Sequence, residues 1–222
     1  INIRQNVQNC AKCAKLCKMC KIVQNVQCCK KCAINAKNSK ICKIVQTWHS
    51  CAKCAKFAKS LGLEVHAGHG MDYKTAEVLS KFVNFGSMII EKNLVEQNFG
   101  DWAGKKISEV WEELKHYKNQ HNFSFICPEI CPPNGDSFLD QYKRAALFID
   151  TLKFYDQKAI VVIAHSGTIR AILSYVLGLE PDVSIGIEIS HLSITLIEVL
   201  KIEDCKNQGG RFRLLGVNQQ TF

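Results

Sequence analysis

Along this chain the hydrophobic positions fall into short runs that switch between helix and strand spacing. Phe138, Tyr142, Ala145, Ile149 and Leu152 step by four and three. That spacing gives one apolar face to a helix following Asn134-Gly135-Asp136. Ala159–Ala164 (AIVVIA) is a continuous apolar run, the pattern of a strand buried on both faces, and Thr168–Val176 follows it at once as a helix. Thr75–Phe82 and Ser108–His116 read as helices, Ser87–Ile90 as extended, and Ser193–Leu200 and Arg211–Val217 as strands. Ala55–Leu61 predicts a short helix ended by Gly62, and Leu63–Val65 a strand leading into His66-Ala67-Gly68-His69-Gly70. Strand, tight polar turn, helix is the order in which α/β sheets bind ligands, at the carboxyl ends of their strands.

The first quarter of the chain does not fit this description. Its lysines at 12, 15, 18 and 21 recur every three residues, which matches neither a helix face nor a strand face. Three short words alternate there: Val-Gln-Asn, Cys-Ala-Lys and Cys-Lys-Met. One nine-base unit, TGTGCAAAA in tandem, encodes all three in its three frames. We read the arm as translated repeat DNA; unrelated codons over its first sixty positions would end that hypothesis. The 222 residues then divide into a low-complexity Cys/Lys-rich arm (1–56), a junction (57–74) and an α/β domain (75–222).

Charge follows the same division. Residues 1–63 hold Arg4 and twelve lysines with no Asp or Glu, a charge of +13, whereas 64–222 hold 16 basic and 20 acidic residues, −4. The net +9 therefore belongs to the arm. Specific nucleic-acid binding is not expected, because before Phe57 the arm has one aromatic, Trp48, and no recognition motif. Ten of the thirteen cysteines lie in the arm, with C-x-x-C pairs at 10/13, 17/20, 29/32 and 51/54. That spacing can grip zinc or a cluster iron. The nonamer generates it automatically, so no selected metal site and no cofactor are expected. Neither a secretory leader nor an apolar run near the roughly 20 residues of a membrane span is evident. The expected setting is cytoplasmic, with Cys127, Cys131 and Cys205 reduced.

Three segments carry candidate chemistry. Val162–Leu173 (VIAHSGTIRAIL) places His165 just beyond a buried strand, followed by Ser166, Gly167 and a helix start. The helix N-terminus there favours an anion. Leu94–Gly104 reads LVEQNFGDWAG and Pro133–Phe138 reads PNGDSF.

Together these motifs resemble the histidine phosphatase superfamily of phosphoglycerate-mutase-like fold, in particular its α-ribazole phosphatases of cobalamin synthesis. Members carry L-x-E-x-x-F-G-x-W-x-G, then P-x-G-E-S, then V-x-x-H-G/S-G-x-I-R, in that order. The resemblance spans about residues 75–222. It implies an α/β sandwich, a mostly parallel sheet flanked by helices, that hydrolyses phosphomonoesters through a phosphohistidine. One His attacks phosphorus, a second donates to the phosphoryl oxygens, arginines neutralise them, and a carboxyl protonates the leaving alcohol. Glu96 matches the carboxyl acid and His165 the second His, with Ser166 and Gly167 at the phosphate-facing turn. Gly135, Asp136 and Ser137 match G-E-S with the acid shortened, and Trp102 and Gly104 are expected to be structural. The implied partner is a phosphorylated small molecule, bulky and nucleoside-like at family level, beside loops near Ser108–Pro133 that offer Trp111, Tyr117, Phe123 and Phe125.

The family's first motif, L-x-R-H-G after a first strand, has no counterpart, since the arm occupies its place. The family's Arg four residues before the Thr of its T-A-E element is Met71 here. His49, His66 and His69 are the N-terminal histidines, and none is expected to follow an Arg or a buried strand. Instead Phe57–Tyr73 (FAKSLGLEVHAGHGMDY) resembles a fragment of pyridoxine 5′-phosphate synthase, in which the residue matching His69 would belong to the active site. A (β/α)8 barrel needs on the order of 200 residues, so the segment is expected to be a stranded piece with a solvated loop whose glycines could face an anion. The whole is then expected to be a truncated, catalytically impaired phosphatase lacking a central strand. An unpaired edge beside Ile160–Ile163 would favour self-association. The competing readings are a non-catalytic phosphate-binding remnant and a metal-binding arm on a passive domain.

Overall fold

A computed structural model describes residues 39–45, 64–81, 85–117, 120–152 and 159–220. The Ala55–Leu61 helix and the C-x-x-C pairs lie outside these. In chain order the elements are β1 (Ser39–Val45), β2 (Glu64–Ala67), α1 (Met71–Ser80), β3 (Ser87–Ile90), α2 (Ile107–Leu114) and α3 (Phe138–Thr151). β4 (Ala159–Ile163), α4 (Ser166–Leu177), α5 (Pro181–Ile185), β5 (Ile194–Leu200) and β6 (Phe212–Gln219) follow among the described residues.

All six strands form one sheet in the order β3-β2-β4-β1-β5-β6. β3, β2, β4 and β1 run parallel, and β5 is antiparallel to both β1 and β6. The expected gap in the sheet is therefore filled. Ile44 of β1 stands opposite Val162 of β4, and Val45 opposite Ile194 of β5, so Ile160–Ile163 has neighbours on both sides. Among the described residues the outermost strands are β3 and β6. A seven-residue stretch, SKICKIV, free of proline and rich in β-branched residues, is enough to occupy a sheet position. His49 lies four residues beyond the end of β1 and outside the described residues, whereas His69 follows the fully buried β2 and so departs from what was expected of it.

The junction segment likewise enters the sheet, as β2. All four of its residues are buried, including Glu64 and His66. The two polar side chains meet each other, His66 Nε2 lying 2.8 Å from Glu64 Oε1, and the imidazole packs at 5.4 Å against the Phe148 ring.

Alternation along the strands builds a core on each face. Ile160 and Val162 join Ile197, Val199, Phe148 and Ile149 and the buried side of α4. Val65, Ala67, Val161 and Ile163 join Ala76 and Leu79 of α1 on the opposite face. Helices on both faces of a mostly parallel sheet make the α/β sandwich that the motifs implied. A smaller cluster, Trp102, Val110, Leu114, Ile126, Cys127 and Ile130, holds the long excursion between β3 and α3 together. Trp102 is buried there and donates through Nε1 to Glu113 Oε2 at 2.6 Å, a structural role.

Candidate active site

β2 and β4 end side by side, Ala67 opposite Ile163, and the segments that leave the two strands meet at one place. Beyond β4 the chain stays extended at His165, which occupies the position before α4. Ser166 and Gly167 form the first turn of α4 and are half-buried. Beyond β2 comes Gly68, then the exposed pair His69 and Gly70, then α1.

The anion expected at the N-terminus of α4 is supplied by the chain itself. Glu96 reaches across from the segment after β3, and its Oε2 accepts the Gly167 N–H at 3.3 Å. Its Oε1 accepts from Gln97 N at 2.8 Å and Gln141 Nε2 at 2.6 Å. A Cβ on residue 167 would overlap Glu96 Oε1 and come within 3.0 Å of Gln141 Oε1, so glycine is what lets the carboxylate approach. Gln141, fully buried on α3, also donates to Thr168 Oγ1 at 2.9 Å, and Thr168 donates to the Leu94 carbonyl at 3.3 Å. One amide thus ties three segments together.

Glu96 is held from behind as well. Asp136 accepts from Asn98 N and from Arg144, whose other nitrogen reaches the Val95 carbonyl at 3.4 Å. Gln97 Nε2 donates to the Asp136 carbonyl at 2.9 Å. The shortened acid at 136 therefore still clamps the Glu96 segment to the start of α3.

Sequence reasoning missed one carboxylate beside His165. Asp72, in the first turn of α1 and 5% exposed, places Oδ1 at 2.9 Å from His165 Nδ1, within bonding distance though off the N–H axis. The close Asp72 carboxylate raises the His165 pKa above its ordinary value, against an opposing contribution from burial, with Glu96 adding further in the same direction. Gly68 makes room for this carboxylate: a Cβ there would come within 2.7 Å of Asp72 Oδ2 and 2.8 Å of the Leu94 carbonyl. The anion against this glycine is again an internal side chain.

His165, Ser166, Gly167 and Glu96 are thus brought together; His69 is exposed beyond β2. Two surface cavities, of about 380 and 540 Å³, are lined by other residues, the larger by Trp102, Glu112, Glu113, His116, Tyr117 and Pro133.

The model of the histidine phosphatase superfamily (branch 1) matches residues 72–212, more than half of the chain. The chain belongs to this superfamily. A Hydrogenobacter thermophilus protein that bears the name of a phosphoserine phosphatase is 26% identical over 128 residues, 57% of this chain and 61% of that protein. The chain thus spans about three-fifths of that relative's length. The fold is shared with a mycobacterial glucosyl-3-phosphoglycerate phosphatase (TM-score 0.59, 17% identity, 82% of this chain and 99% of that one). It is shared too with an Escherichia coli structure titled as an α-ribazole-5′-phosphate phosphatase (TM-score 0.55, 16% identity, 82% and 98%).

A second family model, pyridoxal phosphate biosynthesis protein PdxJ, matches residues 28–110. The pyridoxine 5′-phosphate synthase of Pelagibacter ubique is 54% identical over 39 residues, 15% of this chain and 16% of that protein. In the structure the described part of that region supplies β1, β2 and β3 to the single sheet. No helix among the described residues is long and apolar enough to cross a membrane.

Proposed function

We propose that this chain carries a histidine-phosphatase-type phosphomonoester site in which Glu96 is the proton donor to the leaving alcohol. His165 is the phosphate-facing imidazole, and Ser166 and Gly167 form the turn that receives the phosphoryl oxygens. The observation that carries this reading is the convergence of Glu96 and His165 on one helix N-terminus. The PNGDSF motif lies between them, in the superfamily's order.

In the same proposal, turnover is absent or severely impaired. The sequence offers no R-H-G motif to attack phosphorus, and loss of such a nucleophile costs several orders of magnitude in rate. The four described arginines are committed elsewhere: Arg144 to Asp136, Arg170 to the Ile187 carbonyl, Arg211 to the Leu200 carbonyl and Arg213 to Glu198. Phosphate charge would then be met by His165 and by the N–H groups of the turn that Glu96 leaves free. A nucleoside-like phosphomonoester of the α-ribazole type is the substrate class that the motif resemblance favours, and the cytoplasm the setting.

Hydrolysis of a generic aryl phosphate by the purified chain, beside His165→Ala, tests this. No turnover in either, with stabilisation of the parent chain by inorganic phosphate, is the expected result. Turnover lost in His165→Ala would defeat the impaired reading. It would also call for a nucleophile outside the matched motifs, with His49, downstream of β1, the first to replace.

A further inference from the structure

We propose that Asp72 is the positioning residue of His165, gripping the Nδ1 edge of the imidazole so that the Nε2 N–H faces the open side of the site as the donor to a bound phosphate. This rests on the phosphatase reading above. The geometry has three parts. His165 Nδ1 is buried while the side chain as a whole is 41% exposed, so the solvent-facing edge of the ring is the one opposite Asp72. Asp72 itself is 5% exposed, and its Oδ2 is buried with no hydrogen-bond partner among the described residues. The polar neighbour of the carboxylate is His165, whose Nδ1 lies 2.9 Å from Oδ1 as an ion-pair contact off the hydrogen-bond axis. Finally, the Gly68 backbone lies close beside the carboxylate, since a Cβ added there would come within 2.7 Å of Asp72 Oδ2.

Charge explains why such a residue matters here. Position 71, where the resemblance implies an arginine, is a methionine 63% exposed. An imidazole before a helix is opposed in its cationic form by the helix dipole. The groups that face it are Asp72 from α1 and Glu96 from the segment after β3, both of which favour the cation, while burial opposes it. Of the two, Asp72 is the one in direct contact. An opposite charge within about 4–6 Å typically moves a titration by about 1–3 units. Asp72 thus favours the form of His165 that carries a proton on both nitrogens. Without it, Nε2 becomes free to lose its proton or rotate.

The test is a histidine-resolved NMR titration of the full chain, His165 being assigned by the signal lost in His165→Ala. Asp72→Asn keeps the shape and removes the charge; Asp72→Glu keeps the charge. The expected result is a His165 midpoint that falls by about one pH unit or more in Asp72→Asn and returns in large part in Asp72→Glu. Inorganic phosphate, compared between chains at the same pH, should bind Asp72→Asn up to about tenfold more weakly near pH 7.5, the factor that corresponds to one unit of midpoint. If Asp72 only braces α1, Asp72→Asn lowers stability and leaves the midpoint where it was; that outcome overturns the proposal. A parent chain with the raised midpoint that takes up no phosphate overturns the phosphatase reading instead, while the pairing stands.

Discussion

Gly167 N donates to Glu96 Oε2 at 3.3 Å, so the acid of one motif caps the helix that begins with another. The contact depends on the absence of a side chain at 167. Gly167→Ala would set a methyl against Glu96 Oε1 and within 3.0 Å of Gln141 Oε1. Overpacking of this kind costs about 1–3 kcal/mol. The expected outcome is a lower urea midpoint together with weaker stabilisation by inorganic phosphate. An unchanged midpoint would show that Glu96 moves aside freely and that the cap contributes little.

Gln141 is the hidden brace of the site. It is fully buried, and its Nε2 serves both Glu96 at 2.6 Å and Thr168 at 2.9 Å. Gln141→Leu fills similar volume and removes both donors. Leaving buried acceptors unpaired costs about 1–3 kcal/mol, and Glu96 loses its tie to α3. Denaturant unfolding should register the loss, and Gln141→Glu should fare worse than Gln141→Leu because it sets a second carboxylate against Glu96. The reverse ranking would mean that Gln141 fills space and orients nothing.

Such details explain what could be read from the chain and what could not. The apolar run at Ala159–Ala164 and the step pattern from Phe138 to Leu152 gave β4 and α3 to within a residue at each end, because burial imposes period on sequence. Gln141 was invisible to that reasoning, although it interrupts the apolar face three residues after Phe138 and four before Ala145. A polar residue inside such a stripe is the signal that was available. Asp72 offered less, only an acid in the first turn of a helix, where acids are common. β1 offered least. Cys42-Lys43-Ile44-Val45-Gln46 repeats Cys20-Lys21-Ile22-Val23-Gln24 letter for letter, so nothing local marks the copy that becomes a strand. Its neighbours β4 and β5 make that choice, and they lie more than a hundred residues away.

The start of α3 makes a separate prediction for acid. Ser137 accepts from Asp140 N at 3.2 Å, and Asp140 Oδ2 accepts from Ser137 Oγ at 2.6 Å and Ser137 N at 3.1 Å. These bonds from Ser137, with Lys143 assisting, pull the Asp140 pKa down to about 2. A depressed carboxylate stabilises the fold above its unfolded value, about 3.9, and that contribution fades as pH falls towards about 2. Ser137→Ala should cost about 1 kcal/mol at neutral pH, of which the partly exposed Asp140 supplies only a share. The gap between the two chains in thermal midpoint should narrow below pH 4; a gap that widens there would contradict the capping account.

His165 carries the opposite sign. Its folded pKa is raised above 6.5, so its contribution is fully present below that value and is lost as pH rises through the folded pKa. The difference in thermal midpoint between the parent chain and Asp72→Asn should therefore be larger at pH 6 than at pH 9. Solvent reaches two-fifths of the ring, which screens the pair and keeps the difference small. A difference that is constant across this range would assign the effect of Asp72 to α1 alone.

The strand from the arm gives the sharpest test of the architecture. Cys42 stands between Ile160 of β4 and Ile197 of β5, at the centre of the sheet. Proline there cannot donate to the ladder, and a strand paired on both sides has no solvent face to receive the defect. Cys42→Pro should abolish the cooperative urea transition, because both cores lie against the strands that β1 joins. Cys20→Pro falls in the identical five residues of the other copy and carries the same local change, so comparison of the two isolates position in the sheet from composition of the repeat. Equal loss in both variants would locate the effect in the repeat sequence. A cooperative transition that survives Cys42→Pro would mean that β4 and β5 hold together without the strand from the arm.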